Sequence, residues 1–167
     1  MSRRKKFIII VVFLTCIVGY GSLHVRDNLL SPTNNTVPVV PVYNGPLVQV
    51  GMVEIPVEVA SSSDAIIKGL SNRDFLKPQK GMFFTFSQPA RYRFWMKDMN
   101  FPLDILWIRE GRVVDMHKMI PADFDPLKPV FYSPDFPAQF VLEVNAGFID
   151  TNGIKVGDPV FTKNLDK

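Results

Sequence analysis

Charged side chains interrupt an apolar stretch at residues 93–108, which also contains both tryptophans of the chain. Burying an unpaired ion costs several kcal/mol, so charges in such a stretch face water, pair with one another or line a binding site. Arg93, Trp95 and Lys97 have the two-residue spacing that places side chains on one face of a strand. Two cations beside an indole predict a cradle for a carboxylate or phosphate. The alternative is a solvated face on which both side chains cover the tryptophan.

Carboxylate and amide groups follow in the same apolar surroundings. Asp104 opens an apolar strand, where an acid often accepts hydrogen bonds from turn amides. Glu143 lies out of phase with the apolar face of its strand, which indicates either exposure to solvent or a pairing with Arg93 or Lys97. Asn145 begins an Asn-Ala-Gly turn, in which its side chain can satisfy local backbone groups.

We hypothesise that Lys97, Asp104 and Glu143 converge on one partly buried polar cluster, with Arg93 at its rim. Three separate segments each place a charge in apolar surroundings, and mutual pairing would satisfy all of them. The complete set of candidate ligand-binding residues is Arg93, Trp95, Lys97, Asp98, Asp104, Glu143 and Asn145.

Residues for the common enzyme templates are missing from the sequence. His117 is the only histidine beyond the linker, and Cys16 is the only cysteine, so neither a multi-histidine zinc site nor a disulfide is expected. There is no Gly-x-Ser-x-Gly elbow and no phosphate-binding glycine loop. Asp123, Asp125 and Asp135 lack the glycine-punctuated pattern of a strong calcium loop. We therefore predict no metal, no cofactor and no assignable catalytic residue.

The N-terminus has the layout of a secretory signal or a membrane anchor at residues 1–23. Residues 3–6 are all basic, and residues 7–23 contain no charge. We expect an uncleaved single-pass anchor in the cytoplasmic membrane, with the basic end inside and the rest of the chain outside. Secretion after cleavage at Gly21 and lipidation at Cys16 are the alternatives.

Outside the basic residues 3–6, the chain is close to neutral. Four of the 19 basic residues lie at positions 3–6, which leaves 15 against 16 acidic residues and a net charge of −1. This balance argues against a nucleic-acid partner. Residues 24–46 are polar and proline-rich, which predicts an extended linker.

Residues 47–167 are expected to form one domain. Alternating apolar residues at 53–60 predict a half-buried strand, and Pro56 suggests an edge position. A short capped helix is predicted to follow, with Ile66, Ile67 and Leu70 on one face. Further strands are predicted at residues 81–86, 92–96, 103–108, 113–119, 139–144 and 160–162, with Glu110-Gly111 as a hairpin turn. The fold class is mainly β, a compact sandwich or squashed barrel with one or two short helices, preceded by an N-terminal membrane helix.

Several sequence blocks, in this order, resemble the prokaryotic domain of unknown function 192 (DUF192) family over residues 53–160: Gly81-Met82-Phe83-Phe84-Thr85-Phe86, Phe94-Trp95-Met96-Lys97, Pro102-Leu103-Asp104-Ile105, Gly111-Arg112-Val113, Val141-Leu142-Glu143-Val144-Asn145-Ala146-Gly147 and Gly157-Asp158. The resemblance implies a compact, mainly β domain and assigns no substrate or catalytic residue. Two places depart from the family pattern. Asp98-Met99 stand where the family usually has Asn-Thr, and Ser71-Asn72 stand where it usually has Met and an aromatic residue.

Two functions are therefore expected as alternatives. The first is a membrane-tethered extracytoplasmic module that binds a small anionic ligand or an envelope protein. The second is an envelope hydrolase that uses the carboxylates of Asp104 and Glu143 beside a basic pocket.

Overall fold

A computed structural model describes residues 43–165 as one curled, seven-stranded sheet with two short helices. The mainly β class is therefore correct. The predicted anchor at residues 7–23, and the linker up to residue 42, lie outside the described residues. None of the helices between residues 43 and 165 is long and apolar enough to cross a membrane. The elements are β1 (Leu47–Val50), β2 (Val53–Ala60), α1 (Ser63–Lys68), β3 (Gly81–Ala90), β4 (Leu103–Arg109), β5 (Arg112–Ile120), β6 (Ala138–Asn145), α2 (Phe148–Thr151) and β7 (Val160–Lys163).

The strand order across the sheet is β5-β4-β6-β3-β2-β1-β7. All neighbouring strands are antiparallel except β2 and β3, which are parallel. The sheet curls enough that its two ends meet at one corner, where Arg112 at the start of β5 forms an isolated bridge with Pro159 before β7. The result is a half-barrel with an inner and an outer face.

Both faces of the sheet are buried, each in its own apolar cluster. On β4, Leu106 and Ile108 join the inner cluster, whereas Ile105 and Trp107 join the outer one. Helix α2 contributes Ile149 to the inner cluster. Helix α1 and the long connections before β4 and β6 cover the outer face. Side chains at residues 103–108 of β4 and 141–144 of β6 are therefore buried whichever way they point.

The position of β2 corrects the edge prediction drawn from Pro56. β2 lies inside the sheet, between β1 and β3. Pro56 pairs with Leu47 at the end of the β1–β2 ladder, and pairing with β3 begins only at Val57. The missing N–H of proline therefore costs no ladder hydrogen bond at this position.

Other element predictions agree with the structure in part. Glu110 and Gly111 join β4 to β5 with φ angles of 51° and 68°, the two positive values of a type I′ hairpin turn. Helix α1 forms as expected, with the Ser62 hydroxyl accepting a hydrogen bond from the Ala65 N–H. Ile67, however, is 78% exposed and does not share the buried face of Leu70.

Two further differences concern strands. β1 was not predicted, because four residues are too few to show an alternating pattern. Residues 92–96 form no continuous strand, and only Phe94 makes a bridge, to Tyr132. Their side chains nevertheless alternate: Met96 is 3% exposed, whereas Trp95 is 44% exposed.

Candidate functional site

Glu143 lies in the middle of β6, on the outer face of the sheet. Its partners across the ladder are Met82 on β3 and Ile105 on β4, both members of the outer apolar cluster. The residue is only 6% exposed. Neither solvent exposure nor a pairing with Arg93 or Lys97, the two sequence-based explanations, describes this environment.

The Glu143 carboxyl accepts no hydrogen bond and forms no ion pair within residues 43–165. The nearby cation Arg73 is bound to another acid, with its guanidinium nitrogens 2.8 and 2.9 Å from the two Glu58 carboxylate oxygens. Burial raises the pKa of Glu143 from 4.5 to about 8, and the positive charge of Arg73 opposes this rise only in part. At neutral pH the carboxyl is therefore mostly protonated, and it offers both a donor and an acceptor.

The carboxyl faces a pocket of about 300 Å³ that lies between α1 and the segment before β4. No fully enclosed polar side-chain atom in the described residues lacks a partner, so the unpartnered oxygens of Glu143 keep some accessible surface, and this is the pocket that Glu143 lines. Apolar walls dominate, with Leu70, Phe84, Phe94 and Met99 among the lining residues. We call this space the Glu143 pocket.

Aromatic and cationic side chains surround the mouth of the Glu143 pocket. Trp95 and Phe131 stack with ring centroids 5.6 Å apart, and the Arg93 guanidinium carbon lies 3.8 Å from the Phe131 centroid. Lys68, in the last turn of α1, also lines the pocket. Glu143 is the only acidic residue among those that line it.

Lys97 and Asp98 lie beyond this rim and build a turn. The Lys97 ammonium is 5.6 Å from the Trp95 ring centroid, and the residue does not line the pocket. Asp98 has a φ of 59°, a left-handed conformation that Asn and Asp tolerate better than most residues.

The two departures from the family pattern contact each other at this turn. The Ser71 hydroxyl donates to the Lys97 carbonyl oxygen at 3.0 Å, and the Asn72 N–H donates to the Asp98 carbonyl oxygen at 2.7 Å. Asn72 is also left-handed, with a φ of 61°. The substituted residues therefore form one paired structural unit beside the pocket.

Asp104 does not join the cluster, so the hypothesis that it converges with Lys97 and Glu143 is wrong. It pairs with Val144 and points to the inner face of the sheet, where it is 0% exposed. Its two carboxylate oxygens accept hydrogen bonds from the N–H groups of Met119, at 2.8 Å, and Ile149, at 2.9 Å. Asp104 thus accepts backbone hydrogen bonds, as the sequence predicts, but the donors lie in β5 and α2 and not in a turn.

Asn145 also lies away from the Glu143 pocket. Its side-chain amide donates to the backbone oxygens of Leu76, at 3.2 Å, and Lys77, at 3.4 Å, which anchors the connection before β3. It lines a larger cavity of about 580 Å³ near Gly147 and Thr151. That cavity contains no buried, unpartnered polar side chain among the described residues, so we prefer the Glu143 pocket as the candidate site.

Of the seven candidates, Arg93, Trp95 and Glu143 line one pocket, and the other four do not. Sequence reasoning did not select Lys68, Phe131 and Met99. Lys68 and Phe131 come from segments distant from residues 93–98, and Met99, although next to Asp98, is an apolar residue with no chemical signal of its own. A weak signal existed for Phe131, an aromatic residue in a proline-rich loop. His117 has a structural role, since its Nδ1 accepts a hydrogen bond from the Trp107 indole at 2.9 Å.

No metal centre is indicated in the part of the chain that the structure describes. Within residues 43–165, no three His, Cys, Asp or Glu residues lie close enough together to hold an ion. Asp125 instead accepts a hydrogen bond from the Leu127 N–H at 2.8 Å, as part of a loop turn.

Comparison with known proteins identifies relatives without an established activity. The sequence profile of the DUF192 family, described as "Uncharacterized ACR", matches residues 47–162. A protein of unknown function from Novosphingobium aromaticivorans is 30% identical, with a TM-score of 0.61, over 69% of this chain and 83% of that one. A putative transcription regulator from Sinorhizobium meliloti is 26% identical, with a TM-score of 0.63, over 74% of this chain and 98% of that one. The comparison with curated proteins finds no match.

Proposed function

We propose that this chain, which belongs to the DUF192 family, is a small-ligand-binding protein whose site is the Glu143 pocket. The observation that carries the proposal is a carboxyl on a residue only 6% exposed, which faces an open cavity and has no partner in residues 43–165. Burial of such a group is costly, because it loses most of its hydration and no protein group within residues 43–165 replaces that hydration with a hydrogen bond. A ligand with a polar group at the carboxyl would supply the missing bond.

The composition of the pocket also supports binding of a small molecule. Ligand sites are mostly apolar cavities of roughly 300 to 1,000 Å³ with a few convergent polar groups. The Glu143 pocket, at about 300 Å³, is at the lower end of that range and combines mainly apolar walls with one carboxyl, one hydroxyl and two cations. It therefore suits a ligand smaller than a nucleotide.

We further propose that the domain is tethered at the outer face of the cytoplasmic membrane through residues 7–23. The support is in the sequence alone, where basic residues precede an uncharged apolar stretch and a proline-rich linker follows. Secretion after cleavage of this segment is the alternative. An envelope protein remains the second class of partner in this proposal.

The envelope hydrolase is less well supported than the binding module. A two-carboxylate mechanism needs both groups at the same scissile bond. Asp104 and Glu143 point to opposite faces of the sheet, and Asp104 already accepts two backbone hydrogen bonds. The joint acid–base role is therefore not part of our proposal.

A role in transcription, suggested by the description of the Sinorhizobium meliloti relative, is also not proposed for this chain. Outside residues 3–6 the charge is −1, which provides no electrostatic attraction to nucleic acid.

A ligand-stabilisation screen on the purified full-length chain tests the binding proposal. A ligand present at 100 times its dissociation constant raises the free energy of unfolding by about 2.7 kcal/mol. Glu143→Leu, which removes the polar group from the pocket, should abolish this gain for every polar hit. The control is Thr151→Leu, which alters the larger cavity and should leave the gain intact. Hits that lose their effect only in Thr151→Leu would place the ligand in the larger cavity and refute the proposal.

A further inference from the structure

The arrangement of charge along the Glu143 pocket indicates which class of ligand it takes. The inner end is a carboxyl surrounded by apolar side chains, with Met82 and Ile105 as its neighbours across the ladder. Burial keeps this carboxyl mostly protonated at neutral pH, because it raises the pKa. A protonated carboxyl pairs with a hydroxyl or amide, which both donates and accepts hydrogen bonds.

The mouth of the pocket, in contrast to the neutral inner end, favours a negatively charged group of the ligand. Arg93 and Lys68 take part in no side-chain hydrogen bond or ion pair among the described residues; the ion pairs there involve Arg73, Arg109, Lys118 and Lys163. The Arg93 guanidinium is stacked at 3.8 Å on the Phe131 ring, which leaves the N–H groups in its plane available. Guanidinium groups of this kind bind a carboxylate through two parallel hydrogen bonds.

The walls between these ends are mainly apolar, and the hydroxyl of Ser71, the one further polar lining residue, already donates to the Lys97 carbonyl oxygen. Leu70, Phe94 and Met99 offer no hydrogen-bonding side-chain group to a ligand. The part of the ligand that passes them must therefore be apolar as well, since a polar group there would lose its hydration without compensation.

We propose that the Glu143 pocket binds small hydroxy-carboxylates, with the hydroxyl at Glu143, an apolar body between the walls and the carboxylate at Arg93 and Lys68. This inference rests on the proposed function and adds the chemical class and the orientation of the ligand. A cationic ligand is excluded by the two cations at the mouth, because like charges repel there.

A matched set of three compounds tests the class of ligand. The probes are trans-4-hydroxycyclohexanecarboxylate, cyclohexanecarboxylate, which lacks the hydroxyl, and trans-4-hydroxycyclohexanecarboxamide, which lacks the charge. None of them absorbs where tryptophan does, so the fluorescence of Trp95 at the rim can report binding to the full-length chain. Trp107 is 0% exposed and supplies a constant background. The hydroxy-carboxylate should bind about tenfold more tightly than either of the other two.

Two pairs of variants assign each end of the ligand. Glu143→Gln keeps a donor and an acceptor of the same shape, and it should retain the preference for the hydroxyl. Glu143→Leu should bind the two carboxylates equally. Arg93→Gln should weaken binding of the hydroxy-carboxylate about tenfold without affecting the carboxamide. Arg109→Gln, an exposed arginine on β4, is the control and should change neither.

The outcomes separate this inference from the proposed function. Equal or tighter binding of the carboxamide, or no binding of the hydroxy-carboxylate, overturns the proposed ligand class. In either case a stabilising hit that depends on Glu143 would leave the small-ligand function standing. If no compound in the screen stabilises the protein in a way that depends on Glu143, both the ligand class and the small-ligand function are overturned.

Discussion

Asp104 and Glu143 lie on neighbouring strands, β4 and β6, and point to opposite faces of the same sheet. Asp104 pairs with Val144, the residue next to Glu143, so the two acids are one register position apart. Asp104 accepts two backbone hydrogen bonds, whereas Glu143 accepts none within residues 43–165. Two buried carboxyls of similar sequence context therefore differ: one is satisfied by backbone N–H groups, and the other lines a pocket and has no partner within residues 43–165.

Removing one acceptor from Asp104 should destabilise the domain. Asp104→Asn leaves only one oxygen for the N–H groups of Met119 and Ile149, so a buried donor loses its bond. We expect a loss of about 2 to 4 kcal/mol in the free energy of unfolding, measured by urea denaturation. The control, Asp150→Asn, removes an exposed ion pair with Lys118 and should cost under about 1 kcal/mol. Equal losses in both variants would contradict the structural role of Asp104.

Glu143 should make the domain less stable as the pH rises. Its pKa is raised from 4.5 to about 8, so between these values the native state holds a proton that the unfolded state has lost. The free energy of unfolding then falls as the pH rises from 4.5 to about 8. Above about pH 8 the native carboxyl is ionised too, and the free energy of unfolding falls no further on account of Glu143. The full shift corresponds to about 5 kcal/mol, at about 1.4 kcal/mol for each pKa unit.

Glu143→Gln isolates this effect from that of the other carboxyls. The amide of this variant does not titrate, so the difference between the two proteins in urea denaturation should grow between about pH 5 and pH 8 in favour of the variant. Glu58 has a pKa lowered by its hydrogen bond to Arg73, and its contribution has the opposite sign and cancels in the difference. Parallel pH curves for the two proteins would refute the raised pKa.

Gly81 should not tolerate a side chain. A Cβ atom at this position would lie 2.9 Å from both the Glu143 carbonyl oxygen and the Leu142 side chain. Gly81→Ala must displace the β3–β6 pairing beside Glu143, and we expect a loss of about 1 to 3 kcal/mol in the free energy of unfolding. Gly153→Ala is the comparison, because a Cβ there meets nothing within 4 Å and only its φ of 63° is unfavourable. Thermal melts showing Gly81→Ala to be as stable as the wild type would argue against this close contact.

Asp98 should tolerate replacement by Asn, the residue that the family usually has at this position. Asn tolerates the left-handed φ of 59° as well as Asp does, so Asp98→Asn should change the free energy of unfolding by no more than about 0.5 kcal/mol. Asp98→Val should cost about 1 to 2 kcal/mol, because a β-branched side chain is strained there. Chemical denaturation distinguishes the two, and a large loss in Asp98→Asn would indicate a specific role for the carboxylate.

The proposed tether predicts the location of the C-terminus. Basic residues flank only the front of the apolar stretch at residues 7–23, so the N-terminus should remain inside the cell. A phosphatase reporter that is active only outside the cytoplasm, fused after Lys167, should be active. The matched control replaces residues 3–6 with acidic residues and should lower that activity. Activity of a cytoplasm-only reporter at the same position would contradict the topology.

Local patterns in the sequence were sufficient to predict much of the sheet. Alternation at residues 139–144 correctly placed Phe140, Leu142 and Val144 on one face, because the two-residue period of a strand does not depend on its neighbours. The Glu110-Gly111 turn was predictable because few residue pairs adopt two positive φ angles. The backbone-binding role of Asp104 followed from its place at the head of a strand.

The same patterns could not show what covers each face. Glu143 was correctly placed opposite to Phe140, yet whether that face meets solvent depends on α1 and on the loop that contains Phe131. Helix α1 lies far from β6 in the sequence, and the loop, although it directly precedes β6, is held by a bridge between Tyr132 and the distant Phe94. Lys97, Asp104 and Glu143 do not form one cluster, because charged residues that each have apolar neighbours in the sequence can lie on different faces of the sheet.

The sequence by itself therefore determined the mainly β class, the phase of each strand and the family to which the chain belongs. These properties depend on backbone geometry and on short-range periodicity. Only the tertiary structure decided that Asp104 is satisfied by backbone N–H groups while Glu143 faces a pocket with Arg93 and Trp95 at its mouth. The reason is that burial and hydrogen bonding of a side chain are set by segments that meet it through long-range packing, and strand register alone does not specify them.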